Sequence, residues 1–188
     1  ESLDEKLSSM SVKPVAVYLT SPDYLGNTLD IKAISKVCKK YDVLLLVDNA
    51  HGAYLKFLDE SRHPVDLRAT MCCDSAHKTL PALTGGAYLH ISKTADSLFK
   101  SKAKTALSLF ASTSPSYLIL QSLDKCNDYL GNDYKERLSA FVEKVMALKE
   151  TLKNNGYILV GDEPIKITIS ARSYGYIGFE LAEILRKE

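Results

Sequence analysis

Val43-Leu44-Leu45-Leu46-Val47-Asp48-Asn49-Ala50-His51-Gly52 decides the fold. An apolar run from Val43 to Val47 that ends abruptly in a carboxylate and an imidazole reads as a strand buried on both faces. Its polar residues then fall at the carboxyl end, where open α/β sheets bind their ligands. Upstream, Pro14 to Leu19 reads as another strand, followed by the turn material Thr20-Ser21-Pro22-Asp23-Tyr24-Leu25-Gly26-Asn27. Between the two strands, Ile31, Ile34, Val37 and Cys38 recur at helical spacing with lysines opposite, which predicts one amphipathic helix from Asp30 to Tyr41. Strand, helix, strand in this order implies a right-handed crossover, hence a parallel sheet. The expected fold class is α/β: a mostly parallel sheet flanked by helices.

Further along, short strands are expected at Thr70 to Cys73 and Gly86 to Ile91. The chain then turns helical, at Ala95 to Phe110, Tyr117 to Leu130 and Tyr134 to Asn154, until Asn155-Gly156 stops the last of these. Lys166 to Ser170 reads as a strand, and Gly178 to Lys187 as the beginning of a helix. The expected division is one domain over residues 1–155 and the start of a small C-terminal α+β domain over 156–188. There is no internal repeat and no low-complexity tract. The chain opens on Glu1-Ser2-Leu3-Asp4 and stops at Arg186-Lys187-Glu188 with a helix barely finished, so it is read as a piece of a longer protein.

Over 188 residues, 24 Lys+Arg and 23 Asp+Glu leave a net charge of +1. That balance gives no general attraction to nucleic acid or to an anionic membrane, and the expected partner is a small molecule or another protein. Cys38, Cys72, Cys73 and Cys126 show no paired CxxC spacing, so no metal is expected. No stretch has the length and apolarity of a signal peptide or a membrane span. A reducing cytoplasm is the expected location.

A second segment carries the chemistry: Asp74-Ser75-Ala76-His77-Lys78-Thr79-Leu80-Pro81. Lys78 stands among hydroxyl and imidazole groups able to bind phosphate, and Pro81 to Gly86 forms a small-residue loop that lets backbone approach a ligand. One acid (Asp48), one histidine (His51) and one lysine (Lys78), each just beyond a short strand, suit pyridoxal phosphate. The lysine forms an imine with the aldehyde, and the acid keeps the pyridine nitrogen protonated. Each residue also has a plain alternative: Lys78 as a solvated surface charge, Asp48 as a cap for the following turn, His51 as a satisfied structural histidine. Ala50 is small enough to let a flat ring lie against the backbone.

Four ordered motifs carry a resemblance over roughly residues 14 to 130, and more loosely over Pro164 to Leu185. They are Thr20-Ser21-Pro22-x-Tyr24-x-Gly26, Val47-Asp48-x-Ala50-His51-Gly52-Ala53, Ser75-x-His77-Lys78-Thr79-Leu80-Pro81-Ala82-Leu83-Thr84 and Ser112-Thr113-Ser114-Pro115-Ser116-Tyr117. In this order they resemble the bacterial ornithine/lysine/arginine decarboxylases, of the fold-type I pyridoxal phosphate enzymes. The resemblance implies that residues 1–155 are the C-terminal half of the cofactor-binding major domain. It further implies that Lys78 forms the Schiff base, Asp48 partners the pyridine nitrogen and Ala50 packs against the ring. His51 is implied near the phenolic oxygen or the substrate carboxylate, Ser75 and His77 at the phosphate, and Ser21 at the ring. Thr113 and Ser114 resemble residues that reach the phosphate of a neighbouring subunit in a homodimer, although this stretch could equally cap the helix at Tyr117.

Asn49 departs from the family, which commonly has Glu there. By strand alternation that side chain points away from the ring. In the family, a glycine/serine-rich phosphate cup and a residue stacking on the cofactor lie upstream of this segment, and substrate-selecting residues lie downstream. The implied activity is decarboxylation of a basic amino acid (lysine, ornithine or arginine), as in polyamine biosynthesis. An aminotransferase or lyase on the same fold, or a non-catalytic fragment without a complete cofactor site, are the alternatives.

Overall fold

The computed structural model describes residues 2–112 and 114–188. A helix, α1 (Leu3–Ser9), opens the described chain and precedes strand β1 (Ala16–Thr20), helix α2 (Ile31–Lys40) and strand β2 (Leu44–Asp48). Strand β3 (Met71–Asp74), the single helical turn α3 (Ala76–Thr79) and strand β4 (Tyr88–Ile91) complete the sheet. Its order is β1-β2-β3-β4. β1, β2 and β3 are parallel, with Thr20 opposite Asp48 and Asp48 opposite Cys73, while β4 runs antiparallel to β3. Three carboxyl ends therefore lie side by side, and each leads into one of the segments singled out in the sequence.

Local chemistry explains the connection between β1 and β2. Asp30 caps α2 by accepting the Ala33 N–H at 2.9 Å, and Lys39 and Lys40 occupy its last turn. Such a cap is worth about 1 kcal/mol, and the lysines suit the negative end of the helix dipole. The larger contribution is packing: Ile31 and Cys38 join Leu45, Val47, Ala69 and Cys72 in one buried cluster. α1, which periodicity does not announce over only seven residues, depends on a capping box between Ser2 and Glu5 and on the buried Leu7. Its Asp4–Lys40 pair at 2.8 Å is exposed on both sides and adds little.

A second cluster anchors the turn that carries Lys78. Ala76 and Leu80 are buried with Tyr54 and Leu55 of the 3-10 helix Ala53–Phe57, and with Cys126 and Leu138. The last two come from the long helices α5 (Tyr117–Leu130) and α6 (Tyr134–Asn154), which follow α4 (Ser97–Phe110). Sequence reading takes Pro81 to Gly86 as a loop and gives residues 75 to 80 no element. The structure winds four of them into α3 because Ala76 and Leu80 can be buried together only if the backbone between them coils.

Beyond α6, β5 (Leu159–Val160) pairs antiparallel with β6 (Thr168–Ile169), and α7 spans Gly178–Leu185. β6 is shorter than the expected Lys166 to Ser170. β5, at two residues, is too short for an alternating pattern to reveal. This hairpin sits on the turn after β1: Gly26 O accepts the Asp162 and Glu163 N–H groups at 2.9 and 3.0 Å, and Thr28 N–H donates to Asp162 Oδ1 at 2.8 Å. A Cβ on Gly161 would lie 2.5 Å from Gly26 O, so only glycine permits that approach. Glu163 is buried, accepting from the Tyr54 phenol and the Lys166 N–H at its carboxylate and from Lys149 at its carbonyl.

Candidate active site

Strand alternation sorts the residues at the end of β2. Leu45 and Val47 enter the α2 core, while Leu44, Leu46 and Asp48 face the other side and remain partly exposed. Asp48 uses both oxygens: Oδ1 accepts the Ala50 N–H at 3.0 Å, and Oδ2 accepts the Tyr18 phenol at 3.3 Å. Burial first, then the neighbouring Asp48 charge, push the Tyr18 phenol up, so it stays protonated and donates. Asn49 turns to the opposite face, fully buried, and donates Nδ2 to Asp74 Oδ1 at 2.7 Å. The turn that follows tolerates nothing larger than Gly52, where a Cβ would stand 2.1 Å from Asn49 Oδ1.

Lys78 projects from α3 into solvent, between two core residues, and its Nζ lies 3.3 Å from His51 Nε2. The donor role follows from the charge on the ring. Burial, then the cations Lys78 and Lys166, push His51 below its ordinary 6.5, so the neutral imidazole accepts at Nε2 from the Lys78 ammonium. Tyr24 meets His51 edge to face at 5.7 Å between centroids. Lys166 donates to Tyr24 O at 2.8 Å, and its Nζ lies 5.1 Å from the Tyr24 ring centre.

This depressed His51 carries a pH signature. Between its folded pKa and 6.5 the unfolded chain binds the proton more readily, so its contribution to stability is complete above pH 6.5 and is lost as the pH falls. Urea midpoints at about pH 7 and about pH 5.5 should show a larger drop in the wild type than in His51→Gln. Equal drops would mean that His51 is not held neutral.

His77 is oriented by its own hydrogen bond. Nδ1–H donates to Gly86 O at 3.0 Å, which fixes the tautomer and leaves Nε2 as the second ring nitrogen. Gly85, at φ +96°, makes the turn that brings that carbonyl round. Ser75 precedes α3 without a capping side-chain bond, and on the same turn Thr79 Oγ1 is buried without a partner. Ser21 is buried at the end of β1, and its Oγ accepts the Leu29 N–H at 3.0 Å, holding the turn that also carries Tyr24.

The structure thus brings Asp48, Ala50, His51 and Lys78 to neighbouring strand ends, with Ser75 and His77 on the Lys78 turn. Ser114 is exposed between α4 and α5, and its N–H donates locally to Ser112 Oγ at 3.1 Å. Thr113 lies outside the described residues. The residue at the N-cap of α5 is Ser116, not Ser114. Sequence reading misses Tyr18 and Lys166. Alternation along β1 could have put Tyr18 on the Asp48 face, whereas nothing local connects Lys166 to a site so far upstream in the chain.

The mostly parallel sheet flanked by helices is the fold of the fold-type I pyridoxal phosphate enzymes, and solved structures share it. Cysteine desulfurase from Thermococcus onnurineus NA1 aligns with a TM-score of 0.71 at 16% identity, covering 98% of this chain and 49% of its own. Ureidoglycine-glyoxylate aminotransferase from Bacillus subtilis aligns with a TM-score of 0.65 at 17% identity, covering 85% and 44%. Within that class the chain belongs to the Orn/Lys/Arg decarboxylase family, whose major-domain profile matches residues 1–172. Uncharacterized protein YaaO of Bacillus subtilis (strain 168) is 33% identical over 181 residues, covering 90% of this chain and 37% of its own. The arginine decarboxylase of the same organism is 29% identical over 180 residues, covering 89% and 36%. The chain spans little more than a third of the length of these relatives.

Proposed function

We propose that this chain is the lysine-bearing part of a pyridoxal phosphate-dependent decarboxylase acting on lysine, ornithine or arginine, with Lys78 as the Schiff-base residue. The observation that carries the reading is Lys78 Nζ, solvent-reachable and hydrogen-bonded to a neutral His51, beside the strand that ends in Asp48. The residues fit the cofactor: a carboxylate for the ring nitrogen, a primary amine for the aldehyde, and the Ser75 hydroxyl for the phosphate, with His77 on the same turn. The orphaned Thr79 hydroxyl on the same turn is a further donor awaiting an acceptor.

When bound, the cofactor supplies a conjugated ring that withdraws the electron pair of the bond broken at the substrate α-carbon. Asp48 would hold a proton on the ring nitrogen, and the Ala50 N–H and the Tyr18 phenol fix the direction of its two oxygens. Ala50 would leave room for the ring beside it, and Ser21 keeps the adjoining turn in place. His51 Nε2 and Lys78 Nζ, 3.3 Å apart, would share a proton, and either would be placed to supply one to the substrate α-carbon. Removal of the carboxylate rather than transamination rests on membership of the decarboxylase family, since fold and cofactor alone do not choose the bond.

The same reading extends to assembly. Leu109, Phe110, Tyr117 and Leu118 expose apolar side chains around the connection that carries Thr113 and Ser114. Such a patch supports a homodimer in which that connection completes the partner's phosphate site. Residues 156–188 are assigned to the start of a small domain, supported by their separate two-stranded sheet, while the major-domain profile runs on to residue 172. The four cysteines are unpaired, which accords with a cytoplasmic setting, and among the described residues no helix is long and apolar enough to cross a membrane.

Product analysis of the intact protein with each basic amino acid tests the proposal. Carbon dioxide with a diamine or agmatine is expected. A keto acid instead would favour an aminotransferase. No absorbance change on adding pyridoxal phosphate would favour a non-catalytic fragment.

A further inference from the structure

We propose that His63, Cys72, Asp74 and His90 form a zinc-type metal site on the face of the sheet opposite Asp48. The two-residue period of β3 puts Cys72 and Asp74 on one face, and the antiparallel register sets His90 of β4 directly opposite Cys72. His63 joins them from the loop between the 3-10 helix and β3. No linear motif announces the set, because its donors come from a loop and two strands, and a search for paired cysteines passes over it.

The distances suit one ion. His63 Nε2 lies 3.0 Å from Asp74 Oδ2 and 3.7 Å from Cys72 Sγ, and that sulfur is 4.0 Å from Asp74 Oδ1. The ligand atoms of His63, Cys72 and Asp74 all fall within 4.8 Å of one another, and each of these residues is 3% exposed. Donors of a tetrahedral zinc, bound at about 2.0 to 2.3 Å, stand roughly 3.3 to 3.7 Å apart, so shifts of up to about one ångström admit the ion.

The fourth donor converges on the same carboxylate. His90 Nε2 lies 3.0 Å from Asp74 Oδ2, the oxygen that His63 Nε2 also meets at 3.0 Å. A cation between them would take the lone pairs of both imidazoles and the charge of the carboxylate. A cavity of about 810 Å³ lined in part by His63, Asp74 and His90 gives an ion its way in. Two imidazoles, a thiol and a carboxylate favour Zn²⁺ or Co²⁺ over Mg²⁺ or Ca²⁺.

Four protein donors leave no open position, so the ion is structural. On binding, the Cys72 thiol releases its proton to solvent and the sulfur–metal bond forms, with no change of oxidation state. Asp74 immediately precedes Ser75 and bonds Asn49, the residue after Asp48. The ion therefore pins the ends of β2 and β3 from behind.

The intact protein, incubated with Zn²⁺ or Co²⁺ alone and desalted, is expected to retain one ion per chain. The Co²⁺ form should show tetrahedral d–d bands and a thiolate-to-cobalt charge-transfer band. Cys72→Ser should lose that band, and adding His63→Gln should weaken binding by about 10- to 100-fold or more. Cys73→Ser, a neighbouring thiol on the other face, should change neither. Undiminished binding in the double variant, a band that follows Cys73, or no retained ion in a folded wild type by circular dichroism would overturn the site. Should Cys72→Ser fail to fold, the wild-type Co²⁺ spectrum decides: a thiolate band supports the site, and an octahedral spectrum without one overturns it.

Discussion

Lys78→Arg is expected to lower decarboxylation of the preferred basic amino acid by on the order of 10³-fold or more, and to abolish incorporation of the cofactor when the protein is treated with pyridoxal phosphate and borohydride. Arginine keeps the positive charge, but its guanidinium stays protonated at any working pH and offers no free amine to a carbonyl. The fold should not notice. Lys78 is exposed, while the neighbours that anchor its turn, Ala76 and Leu80, are untouched in the core, and surface changes of this kind usually stay within about 0.5 kcal/mol. Carbon dioxide release and mass analysis of the reduced protein check both halves. Retained activity, or a reduced adduct on another lysine such as Lys166, would remove Lys78 from its assigned role.

Asp48→Asn should lower kcat by about 10² to 10³-fold while leaving the chain folded. The substitution is selective because of the geometry around the carboxylate. An amide oxygen can still accept the Ala50 N–H that Oδ1 now takes at 3.0 Å, so the turn into His51 survives. What disappears is the negative charge that would keep a proton on the ring nitrogen. Asp48→Ala, by contrast, would lose the turn as well and confound folding with chemistry. Comparable kcat values for the wild type and the Asp48→Asn variant, with the cofactor bound in both, would mean that Asp48 does no more than cap the turn.

The sheet and its helices were legible because buried strands and amphipathic helices write their periods directly into the chain. Val43 to Val47 and Asp30 to Tyr41 are such cases, and the observed elements differ from them by a residue or so at each end. Two of the shortest elements were not legible: β5 has two residues, and α3 exists only because tertiary packing coils the backbone between Ala76 and Leu80. The site followed the same division. Asp48, His51 and Lys78 could be read from abrupt apolar-to-polar changes at strand ends, whereas Lys166 approaches Tyr24 only through the fold. Asn49 was legible in direction but not in partner, since its bond to Asp74 joins two strands that meet only in the sheet.

The opposite placement of Asp48 and Asn49 has a consequence for how this lineage can change length. Deleting or inserting one residue inside Leu44–Asp48 would exchange the two sides, carrying the carboxylate into the oily layer under α2 and an uncharged amide to the outer surface. Only an even-numbered indel keeps the parity, and even that would pull the segment out of step with its neighbours. The number of residues within Leu44–Asp48 is therefore held by the pairing on both of its edges.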